Sequence, residues 1–386
     1  MKLRLLIILS LATAIISCAA TSDSNFISGK FTPPDGKILL FIGQDSDTIT
    51  DYIKSVPEDN IEGITLYSSL KHAEPNKTLK AMFKKDNWGS GDVDFALSLQ
   101  ESNQAALAIG LAFDSCNQPQ HGQAITKGEY DKSIDKMLVY LSSLSPRKVF
   151  LRIGYEFDGP WNCYKPTSYI SAFRHIALKI KAKKIENITT VWQSATWPEA
   201  SIAGENTHLY DHADPEHLNK WYPGDDVVDW ISVSVFYRDK SQWLYPPAID
   251  PALAQEKLLT FARLHNKPVM IAESAPQGYR TGVATKSPIH MNQQEQVDAE
   301  YIWQNWFQAY FDFIYANNDV IRAVAYINTH WEAQPMWQCE PKIPAGSQGC
   351  AQGNWGDSRV QSDPEIKKRW LAEITNEKYW IQTSQY

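Results

Sequence analysis

Two glutamates of this chain stand directly after apolar, nearly uncharged runs. Glu156 lies in LRIGYEFDGPW (151–161), and Glu273 lies in KPVMIAES (267–274). A buried strand does not ordinarily end with a charge among large rings, so both positions are candidates for chemistry. Two carboxyl groups about 5–5.5 Å apart, one protonated and one ionised, can cleave an acetal through a covalent intermediate. The alternative is that each glutamate is a surface residue or half of an ion pair, with Arg152 as the partner of Glu156.

Such chemistry needs a scaffold that brings residues 156 and 273 to one place. Eight short apolar runs resemble strands, and they are Ile38–Gly43, Ile61–Tyr67, Ala105–Phe113, Val149–Tyr155, Thr189–Trp192, Val227–Phe236, Pro268–Ala272 and Ile321–Ile327. Amphipathic, helix-like stretches lie between them, for example Ser168–Lys184, Pro251–Leu264 and Gln294–Ala316. This alternation predicts an α/β protein with a parallel sheet, and eight such units predict a closed (β/α)8 TIM barrel.

An open, doubly wound sheet is the alternative fold. Dinucleotide-binding sheets of that kind carry Gly-x-Gly-x-x-Gly after the first strand, whereas Gly43-Gln44-Asp45 follows the first run here. In a barrel, functional residues follow the strands at their carboxyl ends, and strands four and seven lie on opposite walls. Because Glu156 and Glu273 follow runs four and seven, the barrel predicts that they face each other.

The same residues resemble a known family. RIGYEFDGPW is similar to the strand-four motif of glycoside hydrolase family 26, Arg-Pro-Leu-His-Glu-Met-Asn-Gly-x-Trp, and the matching positions are Arg152, Glu156, Gly159 and Trp161. WYPGDDVVDWISVSVF (221–236) resembles that family's approach to strand six. KPVMIAES resembles the strand that carries the nucleophile in the wider clan of such barrels, clan A. The resemblance extends from about strand four to strand eight.

The resemblance implies a role for several residues. Glu156 would be the general acid/base and Glu273 the nucleophile. Tyr237 would orient the nucleophile, although Phe236 leaves the register open. Trp331 would be the platform under the sugar at the point of cleavage. Two departures, Tyr155 in place of the family's histidine and the less aromatic stretch 162–164, put mannan in doubt as the substrate.

Other residues that follow the strands are expected to bind substrate, because the apolar faces of sugar rings stack on aromatic side chains. The predicted substrate-binding residues are Arg152, Tyr155, Trp161, Trp192, Trp197, Tyr237, Trp331, Gln44 and Asp45. Gln44 and Asp45 have an alternative role in capping the first helix, since aspartate is a good N-cap. Trp303 and Trp306 lie in a helical pattern and are expected to pack in the core.

Three histidines fall close together in HLYDHADPEH (208–217). Their spacing, with Pro215 between them, is typical of a loop rather than of one helical face. We therefore expect a solvated insertion between the fifth and sixth strands and predict no metal site. No sequence motif indicates a cofactor.

The first residues are typical of an export signal. Lys2 and Arg4 precede an apolar stretch that is too short to span a bilayer. It ends in Ile-Ile-Ser-Cys, which resembles a bacterial lipoprotein box, so residues 1–17 are expected to be a signal peptide and Cys18 the lipidated residue. Residues 18–30 would be the lipidated tether and residues 31–386 a single catalytic barrel. The alternative is an ordinary cleaved leader that contains a cysteine.

The expected location is the bacterial cell envelope, as an outer-membrane lipoprotein that is periplasmic or surface-exposed, or otherwise as a secreted protein. The lipid would be its only membrane contact. The chain has 37 basic and 44 acidic residues, a net charge of −7, and no basic stripe, so nucleic acid is not an expected partner. A polysaccharide or oligosaccharide substrate is the expected partner, and the protein is expected to be a monomer.

Four cysteines remain after Cys18, and an exported protein can keep them as disulfides. Three pairings are possible. We favour Cys116 with Cys163, which would join loops on adjacent strands. We also favour Cys339 with Cys350, which would close a short loop rich in proline and glycine. None is in Cys-x-x-Cys spacing, which argues against a zinc site formed by these cysteines.

These features predict a retaining glycoside hydrolase that cuts within a β-linked polysaccharide of the mannan, xylan, glucan or algal galactan type. One alternative is a non-catalytic, glycan-binding lipoprotein on a barrel scaffold, although a binder has no need for both glutamates. The other is a transglycosylase that uses the same two carboxylates.

Overall fold

Eight parallel strands form a closed barrel at the centre of the molecule. The structure, a computed structural model, describes residues 25–59, 61–71, 79–87, 89–113, 115–116, 118–196, 206–236, 249–289, 293–338 and 354–382. The barrel strands are β1 (Leu39–Ile42), β2 (Gly63–Leu70), β3 (Ala106–Phe113), β4 (Val149–Ile153), β5 (Ile188–Ser194), β6 (Trp230–Val235), β7 (Val269–Ser274) and β8 (Ile321–Tyr326). Strand β1 pairs with both β2 and β8, which closes the sheet. The predicted (β/α)8 barrel is confirmed, and the open sheet is excluded.

Helices follow the strands and surround the barrel. They are α1 (Ser46–Ser55), α2 (Phe95–Glu101), α3 (His121–Thr126), α4 (Asp131–Ser143), α5 (Pro166–Ala182), α6 (His217–Trp221), α7 (Pro251–Leu264), α8 (Ala299–Ile302), α9 (Ala309–Ala316) and α10 (Pro364–Ile374). A π-helical segment, Trp303–Gln308, joins α8 to α9. Helix α7 has the predicted bounds, whereas the pattern predicted from Gln294 becomes helical only at Ala299, after the side chain of Asp298 caps the chain.

Short elements lie outside the barrel. Pairs of residues form two small sheets, one from Asp86–Asn87 and Asp92–Val93, and one from Tyr279–Arg280, Thr285–Lys286 and Glu295–Gln296. Single 3₁₀ turns occur at Pro160–Asn162, Thr281–Val283, Trp331–Ala333, Pro335–Trp337 and Val360–Ser362. No helix among the described residues combines the length and the apolarity that crossing a bilayer would require.

Two apolar layers hold the strands in place. Alternate side chains of the strands fill the barrel with rings such as Phe41, Phe150 and Trp230. A Cβ atom on Gly63 would lie 2.3 Å from the ring of Phe41, so only glycine leaves room for that ring. The other side chains pack against the helices, where Trp303 and Trp306 are buried, as predicted.

One disulfide joins the loops that follow two neighbouring strands. Cys116, after β3, is bonded to Cys163, after β4, which confirms the favoured pairing. Cys339 and Cys350, the other predicted pair, lie outside the described residues, and so does Cys18.

Candidate active site

Glu156 is positioned by a sharp turn at the carboxyl end of β4. Gly154 has φ 57° and Glu156 has φ 51°, both in the left-handed region that non-glycine residues seldom occupy. A Cβ atom on residue 154 would lie 2.7 Å from the ring of Tyr169 and 2.9 Å from that of Phe113, so this position needs glycine. The turn reverses the chain after the strand and leaves the side chain of Glu156 among groups of the barrel mouth.

The carboxyl group of Glu156 accepts two hydrogen bonds. Ser234 Oγ donates to Oε1 over 2.9 Å, and Trp161 Nε1 donates to Oε2 over 3.0 Å. The residue is only 7 % exposed. Burial raises the pKa of Glu156 well above its usual range, and the nearby charge of Glu273 raises it further. Glu156 is therefore a carboxyl group that can hold a proton at neutral pH.

Glu273, near the end of β7, has a different environment. Its Oε1 accepts a hydrogen bond from Arg152 Nη2 over 2.6 Å and one from Gln193 Nε2 over 3.3 Å. Arg152 is completely buried, so its positive charge is little screened by water. The contact between the guanidinium and the carboxyl group is a short, charge-assisted hydrogen bond. The arginine that could have been the partner of Glu156 pairs instead with Glu273.

A chain of hydrogen bonds connects the two carboxyl groups. Strands β5 and β6 lie between β4 and β7 in the barrel, and each contributes one polar side chain. Gln193 Nε2 on β5 donates to Glu273 and also to Ser234 Oγ on β6 over 3.1 Å, while Ser234 donates to Glu156. The two glutamates predicted to face each other thus belong to one continuous buried network.

Two tyrosines enclose the guanidinium of Arg152. Its carbon lies 4.9 Å from the ring centre of Tyr67 and 5.3 Å from that of Tyr155, and these rings meet edge to face at 5.2 Å. A Cβ atom on Gly110 of β3 would lie 2.4 Å from the ring of Tyr67 and 3.0 Å from Arg152 Nη2. Glycine at position 110 therefore makes room for the residues that hold Glu273 in place.

The aromatic residues predicted to bind sugar differ in their exposure to solvent and in their position relative to the two glutamates. Trp161 is 41 % exposed and contacts Glu156, so its ring lies at the edge of the site. Trp331 follows β8 and packs edge to face against Phe236, with only 1 % of its surface exposed. Its role as a sugar platform stays a prediction. Trp197 and Tyr237 lie outside the described residues.

The structure corrects the role predicted for Trp192. Its side chain points outward from β5 into the helix layer, where it stacks on Phe157 at 4.3 Å and packs against Phe261 of α7. Adjacent side chains of a strand point to opposite faces, so the substrate side belongs to Gln193 instead. Trp192 is a core residue.

Asp45 also differs from its predicted role. It is 1 % exposed, and its Oδ1 accepts a hydrogen bond from the backbone N–H of Thr48 over 2.7 Å, which caps α1. Burial raises the pKa of Asp45 to about 7. Gln44 beside it lies 3.5 Å from the side chain of Gln334. The capping alternative is thus the correct one for Asp45.

Three residues of the network were missed in the sequence: Tyr67, Gln193 and Ser234. Tyr67 and Ser234 lie within predicted strand runs, whereas Gln193 lies one residue past the predicted end of the fifth run, at Trp192, and inside the observed strand. None of the three is among the predicted site residues. The available signal was a polar side chain inside a buried strand, because such a group is seldom placed in a barrel without a partner.

The histidine-rich segment is not a solvated insertion throughout. His208 is exposed, but His212 and His217 are buried and converge on Asp158, two residues after Glu156. The side chains of Asp158, His212 and His217 could together hold a metal ion, since one ligand atom from each lies within 4.8 Å of the others. The expectation of solvent exposure is wrong for these two histidines.

Comparison with known proteins gives the family. No protein-family model matches the chain. The β-1,3-xylanase TXYA of a Vibrio species is 30% identical over 365 residues, which cover 94% of this chain and 69% of that protein. A β-1,3-xylanase of an Alcaligenes species is 30% identical over 374 residues, which cover 96% of this chain and 70% of the relative.

Solved structures share the fold at low identity. The family 26 β-mannanase BoMan26A of Bacteroides ovatus has a TM-score of 0.53 and 13% identity, covering 90% of this chain and 91% of that one. A double mutant of the endo-β-1,4-mannanase of Cellulomonas fimi has a TM-score of 0.54 and 13% identity, with coverage of 91% and 73%. The protein GH26C of a Muricauda species has a TM-score of 0.54 and 12% identity, with coverage of 91% and 88%.

The closed barrel is the fold of the family 26 glycoside hydrolases among these solved structures, as the resemblance in the sequence indicated. Within that class, the chain belongs to the family of the β-1,3-xylanases. The prediction of a glycoside hydrolase that acts on a β-linked polysaccharide is confirmed at this level.

Proposed function

We propose that the protein is an endo-acting β-1,3-xylanase that cleaves its substrate with retention of configuration at the anomeric carbon. The choice of sugar and linkage is supported by the two β-1,3-xylanases that are 30% identical over nearly the whole chain. The observation that carries the mechanism is the hydrogen-bonded network that joins Glu156 to Glu273 through Ser234 and Gln193.

In the first step, Glu273 attacks the anomeric carbon while Glu156 gives its proton to the leaving oxygen. The bond between that carbon and the leaving oxygen breaks, and an ester between Glu273 and the sugar forms. Arg152 donates a hydrogen bond to Glu273 Oε1 and holds the carboxyl group in a fixed position for the attack. Burial favours the protonated form of Glu156, which a general acid requires.

In the second step, Glu156 has lost its proton and acts as a base. It removes a proton from a water molecule, whose oxygen attacks the anomeric carbon and releases Glu273 as a carboxylate. Two inversions give net retention. The different surroundings of the two glutamates, a guanidinium for one and apolar burial with two neutral donors for the other, support this division of roles.

The surroundings of Arg152 support a substrate other than mannan. Where family 26 has a histidine before the acid, this chain has Tyr155, which lies against the guanidinium together with Tyr67. A phenol in place of an imidazole changes both the shape of the site and the hydrogen bond offered to a sugar hydroxyl. Trp161, at the edge of the site, supplies a ring for stacking.

A panel of polysaccharides tests the proposal. We expect β-1,3-xylan to be cut into a range of short oligosaccharides, with little action on β-1,4-xylan or β-1,4-mannan. Proton NMR of the first product should show the β anomer, because the mechanism retains configuration. An α product would refute the mechanism, and preferential cleavage of a different polysaccharide would refute the proposed substrate. A transglycosylase would instead give products longer than its substrate at high oligosaccharide concentration.

We also propose that the enzyme is exported as a lipoprotein, with residues 31–386 as one catalytic barrel and Cys18 as the lipidated residue. The leader and the cysteine box support this proposal. In a bacterial host, Cys18→Ser should move the enzyme from the membrane fraction to the soluble fraction without loss of specific activity. Equal distribution of both forms would contradict a lipid anchor.

A further inference from the structure

A second buried polar cluster lies directly behind the loop that carries Glu156. Asp158 is fully buried, and its carboxylate is fixed by the ends of the neighbouring strand. Its Oδ1 accepts a hydrogen bond from the backbone N–H of Ala195 over 2.7 Å, and its Oδ2 accepts one from Ser194 Oγ over 2.6 Å. A carboxylate held in this way has a fixed orientation, as ligating carboxylates usually do.

Two imidazoles approach the same oxygen of Asp158. His217 Nε2 lies 3.0 Å from Oδ2, and His212 Nε2 lies 3.5 Å from it. The two rings are 4.4 Å apart, and both residues are buried. Two ligands of a tetrahedral zinc ion, at bond lengths of about 2.0–2.1 Å, are separated by roughly 3.3 Å. The distances from Asp158 Oδ2 to the two histidine nitrogens, 3.0 Å and 3.5 Å, lie just below and just above that ligand-to-ligand distance.

His212 provides the observation that distinguishes this cluster from an ordinary ion pair. Its Nε2 is buried, is directed at Asp158, and makes no hydrogen bond to any residue that the structure describes. A buried nitrogen without a partner is costly, so such a group calls for an explanation.

We propose that Asp158, His212 and His217 bind one zinc ion, with water completing the coordination. Two imidazoles and a carboxylate are a ligand set that suits zinc. The ion would fasten residues 206–221 to the loop after β4. The proposal is independent of the reaction proposed for Glu156 and Glu273, because its tests measure metal binding and thermal stability.

The experiment uses the purified protein, stripped with a chelator and titrated with zinc chloride. Calorimetry should show one zinc ion per chain with a dissociation constant below about 1 µM. Saturating zinc should raise the melting temperature by about 2 °C or more. His212→Asn removes a ligand that makes no hydrogen bond to any described residue, so the metal-free protein should fold as before.

His208→Asn is the matched control, because His208 lies on the same segment but is exposed. We expect zinc affinity to fall at least about 100-fold in His212→Asn and to stay unchanged in His208→Asn. The thermal shift should be lost in the first variant and kept in the second. Failure of the parent protein to bind zinc, or binding that survives His212→Asn, would overturn the proposal and leave only a hydrogen bond between Asp158 and His217.

Discussion

Arg152 and Arg322 lie on strands of the same barrel and are both completely buried, yet their surroundings differ. Arg322, on β8 near the amino end, donates to four backbone carbonyls within residues 27–37. Arg152, on β4 near the carboxyl end, donates to the carboxylate of Glu273 and to a single carbonyl, that of Ala272.

The different hydrogen-bond partners of the two arginines indicate a structural role for Arg322 and a role in the active site for Arg152. Peptide carbonyls are neutral and fixed, so Arg322 fastens the amino-terminal segment across one end of the barrel. A buried ion pair adds little net stability, because desolvation of both charges offsets their attraction. Arg152 and Glu273 are therefore better explained by what they do at the other end of the barrel. Mutations at the carboxyl end of the barrel should therefore lower activity above all, whereas mutations at the amino end should lower stability and leave activity unchanged.

The largest effect should come from Glu273→Ala. Loss of the nucleophile should lower kcat on polysaccharide by on the order of 10⁴-fold or more. The variant should stay folded although its melting temperature falls, because Arg152 is left buried without its carboxylate partner, and binding of oligosaccharide should persist. Activity assays, thermal unfolding and calorimetry check the three parts, and an unfolded variant would show that residue 273 is structural.

Glu156→Ala should have the next largest effect. Without the general acid, cleavage of polysaccharide should slow by about 10²–10⁴-fold. Aryl glycosides with an acidic phenol as leaving group should be affected far less in the glycosylation step, since they need no proton. A burst of phenol followed by slow turnover would report this difference. Equal losses on both substrates would argue against an acid role.

Arg322→Met should lower stability and leave activity intact. Removal of the guanidinium leaves buried carbonyls without a donor, which should cost about 3 kcal/mol or more in the free energy of unfolding. The control is Arg174→Met, at a partly exposed pair with Asp226, where the expected loss is about 1 kcal/mol or less. Denaturant unfolding measures both. A large loss of kcat in a folded Arg322→Met variant would contradict the assignment of a purely structural role to Arg322.

The effect expected at Glu62, at the amino end of the barrel, depends on pH and should leave activity unchanged. Burial, followed by the charge of Asp59, raises the pKa of Glu62 to about 9. Between about pH 4.5 and 9 the folded protein holds this proton and the unfolded chain does not, so stability falls as pH rises, by at most about 1.4 kcal/mol per pH unit.

Glu62→Gln should remove this part of the pH dependence. Unfolding measured across that range should show a variant whose stability relative to the parent increases with pH. The exposed Glu129→Gln is the control, for which the difference should stay flat. A flat difference for Glu62→Gln as well would mean that residue 62 is ionised in the folded protein.

The sequence alone predicted the barrel because its signals are local and repeated. The strands arise from short, mainly apolar runs, and helix α7 begins and ends where its amphipathic pattern does. Glu156 and Glu273 could be selected because each follows such a run, and the barrel then brings their strands to one mouth. The disulfide between Cys116 and Cys163 followed from the same assignment of strands.

The site residues that the sequence did not predict depend on which face of a strand, or which turn of a long connection, each side chain occupies. Trp192 and Gln193 are neighbours in the sequence, and one register places the ring in the helix layer and the amide in the network. Aromatic composition favoured the wrong member of this pair. His212 and His217 likewise reach Asp158 only through the path of a long connection, which no local pattern encodes.

The most direct test is to trap the sugar on the enzyme. A 2-deoxy-2-fluoro-xylobioside with a dinitrophenyl leaving group slows release of the intermediate more than its formation. Peptide mass spectrometry of the inactivated protein should then find one fluorinated xylobiosyl group, bound as an ester to Glu273 within 268–280. A label on another residue, or turnover of the reagent with no covalent adduct at any time, would contradict the account.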